Sequence, residues 1–120
     1  MKNSIYDSAL TDLATIFGSH DDLESGTGAR FKSNKKGKLT IYHRNIAAGN
    51  SAEIAFEVDS FAARFKLSAS EAAAFLARLK AATGRQVEIN PRFQWPRVGL
   101  ATAADVVTVL DALKQKAMLA

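Results

Sequence analysis

"SAEIAFEVDSFAARFKLSASEAAAFLARL", residues 51–79, admits two readings, and the choice between them sets the architecture. Taken in steps of two, Ile54, Phe56 and Val58 alternate with Glu53, Ala55 and Glu57. After Asp59 and Ser60 the alternation resumes as Phe61, Ala63, Phe65 and Leu67 against Ala62, Arg64 and Lys66. That is the period of half-buried strands, whose successive side chains point to opposite faces. A two-residue loop at Asp59-Ser60 would pair Val58 with Phe61, Phe56 with Ala63 and Ile54 with Phe65. It would also set Glu53 opposite Lys66, a favourable cross-strand charge pair. Taken in helical steps, residues 59–79 become helix, short turn, helix, a DNA-reading motif whose second helix enters the major groove. The small residues and the serine cap at Ser68 suit that motif. Against it stand the unbroken alternation over 54–67 and Lys66 at the turn, where glycine is the expected residue. The period-two signal favours strands.

Upstream, "FKSNKKGKLTIYHRN", residues 31–45, packs five Lys or Arg side chains and a histidine into fifteen positions and still reads as β structure. Asn34 suits the start of a type I turn, and Gly37 the left-handed position that closes a three-residue hairpin loop. That loop pairs Asn34 with Lys38. It places Phe31 opposite Ile41, Ser33 opposite Leu39, Lys32 opposite Thr40 and Arg30 opposite Tyr42. Phe31, Leu39 and Ile41 then share one face, and Arg30, Lys32, Thr40 and Tyr42 the other. The link "IAAGN" sets Ile41 opposite Ile54. An apolar row of Phe31, Ile41, Ile54 and Phe65 follows, backed by a row of Arg30, Tyr42, Glu53 and Lys66.

The flanks read as helical. Over 4–17, Tyr6, Leu10, Leu13 and Phe17 recur at helical spacing, and Gly18 suits the C-terminal cap. "GSHDDLESGTG" reads as a loop. Ser68 with Glu71 forms a capping box, followed by a stripe of Ala72, Phe75, Leu76 and Leu79 that ends at Gly84. "QVEIN" reads as a short strand with Val87 and Ile89 inward. Pro91 and Pro96 keep "RFQW" out of regular sheet, and "RVGL" reads as another short strand. Thr102 with Asp105 opens a last helix with Val106, Val109, Leu110 and Leu113 on one stripe. The expectation is a single α+β domain over 1–120. It comprises an N-terminal helix, a four-stranded antiparallel β-meander, a helix, a short β-β unit and a C-terminal helix, with helices mainly on one sheet face. Four antiparallel strands followed by a helix, over about residues 29–83, resembles the topology of single-stranded-DNA-binding folds such as the Whirly and PUR-repeat groups. The resemblance is one of topology and carries no site residues with it.

Composition narrows the function. A chain of 120 residues, 48% hydrophobic and 23% charged, is ordinary for a globular protein. It has no cysteine, which excludes disulfides and thiolate metal sites. Nothing calls for an oxidising compartment, and a cytoplasmic location is expected. Asp7 and Asp12 interrupt the apolar pattern near the N-terminus, against a secretory or membrane segment there. The net charge of +4 favours anionic partners.

On the expected registers one sheet face carries Arg30, Lys32, Arg44, Arg64 and Lys66 against Glu53 and Glu57, with Tyr42 near the middle. Lys35, Lys36 and Lys38 extend the charge around the hairpin tip. Single-stranded nucleic acid asks for this combination of cations for phosphates and a ring for base stacking. The plainer account is that solvent-facing strand positions are routinely charged and that hairpin lysines deter edge pairing. The leading expectation is a non-enzymatic binding domain that takes single-stranded DNA or RNA on Arg30, Lys32, Lys35, Lys36, Tyr42, Arg44, Arg64 and Lys66. The alternative is a protein-interaction module (inhibitor, immunity or adaptor protein) that meets an acidic protein surface. Phe93, Trp95 and Arg97 of "NPRFQWPR" would be its anchors, since aromatic and arginine side chains dominate interface energetics. Trp95 could equally cap the core edge.

No catalytic residue is assigned. "HDDLE" gathers His20, Asp21, Asp22 and Glu24 but lacks the glycine and spacing of a calcium loop. It reads as solvated, and no metal or cofactor is expected. His43 falls at the rim of the apolar side. A nuclease built on Tyr42, His43 and Arg44 has no diagnostic spacing. Gly-rich phosphate loops, GxSxG and HExxH do not occur.

Overall fold

The computed structural model describes residues 3–90 and 92–119. In it the chain runs α1 (Ser4–Phe17), β1 (His20–Asp22), β2 (Gly28–Phe31), β3 (Leu39–Tyr42), β4 (Ala52–Phe56), α2 (Val58–Phe65), α3 (Ala69–Thr83), β5 (Arg97–Leu100) and α4 (Ala103–Leu119). The strands form one antiparallel sheet in the order β1-β2-β3-β4-β5, so the class is α+β as its patterning implied. Ala29, Phe31, Leu39, Ile41, Ile54, Phe56, Val98 and Leu100 point from the sheet into a core. They meet Leu13 and Phe17 of α1, Phe61 and Phe65 of α2, Leu76 and Leu79 of α3 and Val109 and Leu113 of α4.

The stretch that decides the fold takes the helix-turn-helix course. The strand expected over 61–67 is α2, and the pairs Val58–Phe61, Phe56–Ala63, Ile54–Phe65 and Glu53–Lys66 do not form. Phe61 and Phe65 lie four apart, a spacing that fits a period of two and a helical turn equally well. What separates the readings is the residues between and beside them. Ala62, Ala63 and Arg64 are helix formers, and positions 59–67 contain no Val, Ile or Thr to favour a strand. Phe61 packs at 4.6 Å on Phe65 and stacks at 5.8 Å on Phe75 of α3. Lys66 takes the turn itself in the left-handed conformation, φ 56° and ψ 45°, and the Leu67 amide donates back to the Ala62 carbonyl. The Ser68–Glu71 capping box opens α3 as its sequence predicts. The resemblance to single-stranded-DNA-binding topologies needed a strand at 61–67 and lapses with it.

The meander lies further towards the N-terminus than expected. His20–Asp22, read as loop, is an edge strand paired with Ala29–Phe31. Ile41 faces Ile54 and Tyr42 faces Glu53, as expected. In the β2–β3 hairpin, however, Phe31 faces Leu39 and Arg30 faces Thr40, a slip of two residues that leaves a longer loop over 32–38. The cause lies outside the hairpin. The Lys38 amide donates to the Ser60 hydroxyl, and the Glu57 amide donates to the Lys38 carbonyl, so Lys38 is held by the start of α2. Because the slip is even, no side chain changes face. Gly37 (φ 98°) closes the loop against Phe17, where a Cβ would come within 2.9 Å of the ring. "QVEIN" forms no strand, so the short β-β unit reduces to β5. Ile89, expected inward, is 68% exposed.

Candidate functional site

The sheet face turned away from the core carries Arg30, Thr40, Tyr42, Glu53, Ala55 and Arg97 by strand alternation. It is not open along its length, because part of the 88–95 segment lies against it, and one carboxylate fastens the two together. Glu53 is fully buried. Its Oε1 accepts from Arg97 Nη1 and from the Glu88 amide, both at 3.1 Å. Its Oε2 accepts from the Ala47 amide at 2.7 Å and from Asn50 Nδ2 at 2.8 Å. A buried charge is tolerated when its partners are complete, and here both oxygens are served twice. The Arg97 guanidinium also lies 4.3 Å over the Tyr42 ring.

Between the sheet and this segment lies a cavity of about 520 Å³. Thr40, Tyr42 and Arg97 line it from the sheet, Phe93 and Trp95 from the overlying segment, and Arg30 from β2. Trp95 is half-buried with its ring 6.0 Å from Phe93, which is 58% exposed. Arg30 is exposed and makes no ion pair among the described residues.

The two residue sets expected at separate sites thus converge in part. Arg30 and Tyr42, expected on nucleic acid, line the same cavity as Phe93, Trp95 and Arg97, expected on a protein partner. Arg97 is not displayed on a loop. It belongs to β5, is 7% exposed and is committed to Glu53. Pro91, expected to stiffen the loop from one side, lies outside the described residues.

The remaining cations separate. Lys32 pairs with Asp21 at 3.2 Å in solvent, and Arg44 is exposed beyond the end of β3. Arg64 and Lys66, expected on the sheet face, sit instead on α2 and its cap. There they line a second groove with Lys35 and Lys36, beside the end of α1. The five-cation sheet face therefore does not form, because it required residues 61–67 to be a strand.

His20 is exposed on β1, and His43 is half-buried with its ring 4.7 Å from that of Tyr6. Burial pushes the Tyr6 phenol up to about 12, with Asp22 and Asp7 adding to the effect. Among the described residues no three His, Cys, Asp or Glu side chains are grouped to hold a metal ion, and no helix is long and apolar enough to cross a membrane. What the sequence reading missed is that Phe93 and Trp95 lie over the sheet face beside Thr40 and Tyr42 instead of forming a separate site. The available signal was Glu53, a lone carboxylate in the otherwise apolar strand "AEIAF". Comparison with known proteins adds no relative: no family model, curated protein or solved structure matches the chain.

Proposed function

We propose that this chain is a non-enzymatic binding module for single-stranded nucleic acid and that its primary site is the sheet-face cavity. The observation that carries the reading is the meeting of Arg30 with Tyr42, Phe93 and Trp95 around one concavity. Its size falls within the range of about 300–1,000 Å³ common to small-ligand sites, which suits an unstacked base. Base–aromatic stacking contributes about 1–3 kcal/mol per base, and Arg30 supplies the neighbouring phosphate contact. The helix pair α2–α3 is a poor major-groove reader. The first turn of α3 presents Ser70 and Glu71, and the helix has no cation before Arg78.

Trp95 is the chain's only tryptophan, so its emission reports the site directly. Titration with an oligothymidylate of about twelve nucleotides, a length within known single-strand site sizes, should quench it saturably. Arg30→Ala should weaken binding about tenfold, the size of a lost charge-assisted contact. Unchanged emission with both DNA and RNA oligonucleotides at low salt would sink the proposal.

A second reading, an occluding protein-interaction module, draws on the exposure of Ile89 and Phe93 on the same wall. It predicts a nuclease-resistant partner that is retained by the native chain and lost with Ile89→Ser/Phe93→Ser.

A further inference from the structure

We infer that the groove between the end of α1, the 32–38 loop and α2 is a second phosphate-contact site, along which a single strand continues from the cavity. The inference rests on the single-strand reading above. The groove, of about 610 Å³, is lined by Lys35, Lys36, Arg64 and Lys66, with no carboxylate in its lining. None of these cations makes an ion pair among the described residues. Like charges gathered without counter-charge repel, and a polyanion relieves that repulsion while releasing its own counterions.

Folding accounts for part of the cluster. Helix α1 has no basic residue in its last turn, and Lys36 lies against Gly18 at that end, where a cation complements the helix dipole. Arg64 lies 5.0 Å over the Phe65 ring. Folding does not account for Lys66. It holds a left-handed backbone, which glycine adopts without a Cβ penalty, yet the position carries a long cation that borders the groove. A strained residue of this kind points to a use outside packing.

The two sites are also joined. A shallow groove lined by His20, Asp21, Lys32 and Ser33 shares Arg30 with the cavity and Lys36 with the second groove. Cations therefore run from the sheet face around the loop to α2, offset among the described lining residues by Asp21, which pairs with Lys32, and by Glu57 in the cavity, which pairs with Lys38. The occupant must turn a corner on a molecule 35 Å across its longest axis. A single strand can do so, whereas a duplex has a persistence length of about 150 base pairs.

The test compares oligothymidylates of about three and about twelve nucleotides, both fluorescently labelled, reading anisotropy and Trp95 emission together. The short probe should bind the native chain and the Lys35→Gln/Arg64→Gln/Lys66→Gly variant alike. The long probe should bind the native chain more tightly, and in the variant should fall towards the affinity of the short one. The log-affinity against log-salt slope should become shallower by about two, at about 0.7 per phosphate contact for three lost cations. Lys66→Gly alone should raise the melting temperature by about 2–8 °C while weakening the long probe several-fold. Unchanged long-probe affinity and slope in the triple variant overturn the groove and leave the cavity standing. Anisotropy that responds while Trp95 emission never moves overturns the cavity and, with it, the continuous track.

Discussion

Glu53 sits where a carboxylate is least at home, and its surroundings explain why it stays. Its hydrogen-bond donors come from the 47–50 turn, from Glu88 and from β5, so one side chain ties the neighbouring turn to two remote segments. Glu53→Ala would leave the Arg97 guanidinium buried and unpaired, a change that costs about 3–5 kcal/mol in comparable sites. Urea titration should register that loss. Trp95 emission should shift towards the red as the 88–95 wall loosens. The lone carboxylate is visible within residues 52–56, but its buried partner is not, because Arg97 lies 44 positions away. The Ser68–Glu71 box was legible because both partners lie within one helical turn. Lys66 shows the opposite failure. Its position marks the turn, and a lysine argues against a turn there only through the Cβ penalty, which a non-glycine residue can bear in the left-handed region at about 1–2 kcal/mol.

At the level of elements, short apolar runs with spacing four were ambiguous, whereas long runs with caps were not. Helices α1, α3 and α4 and the pairing of β3 with β4 follow directly from periodicity. Helix α2 does not, since Phe61 and Phe65 satisfy both periods and only the absence of β-branched residues separates them. The slip in the β2–β3 register arises from Ser60 and Glu57 gripping Lys38, a contact no hairpin rule contains. The start of α4 carries a pH-dependent contribution of its own. Burial pushes the Asp105 carboxyl up, but donors from the Ala101 and Thr102 amides and the Arg85 guanidinium outweigh it and hold the group below its usual range. The unfolded chain, at about 3.9, therefore takes up this proton more readily. The contribution is present above that value and is lost as pH falls through the lower, folded one. Asp105→Asn should cost about 1 kcal/mol at neutral pH, the scale of a lost helix cap. In denaturant titrations the gap between native and variant chains should narrow towards pH 3.

Over the whole molecule, the α+β class was visible in the order of periods, and the excess of basic residues in the composition. Their distribution was not, because two of the predicted sheet-face cations belong to a helix and its cap, and the cavity is closed by a segment without periodicity. The charge has a consequence at this scale. Binding that neutralises several phosphates should lose affinity steeply between about 50 and 200 mM salt. Duplex DNA of equal length should bind more weakly than the single strand, since it cannot follow both grooves. Competition of labelled single strand by unlabelled duplex would measure the ratio, and equal affinity would count against the bent track. Finally, the buried carboxylate latches the pocket's roof to its floor before any guest arrives. Little ordering is left to be done on docking, so capture should proceed at a rate set by encounter. Guests would then differ chiefly in how long they remain.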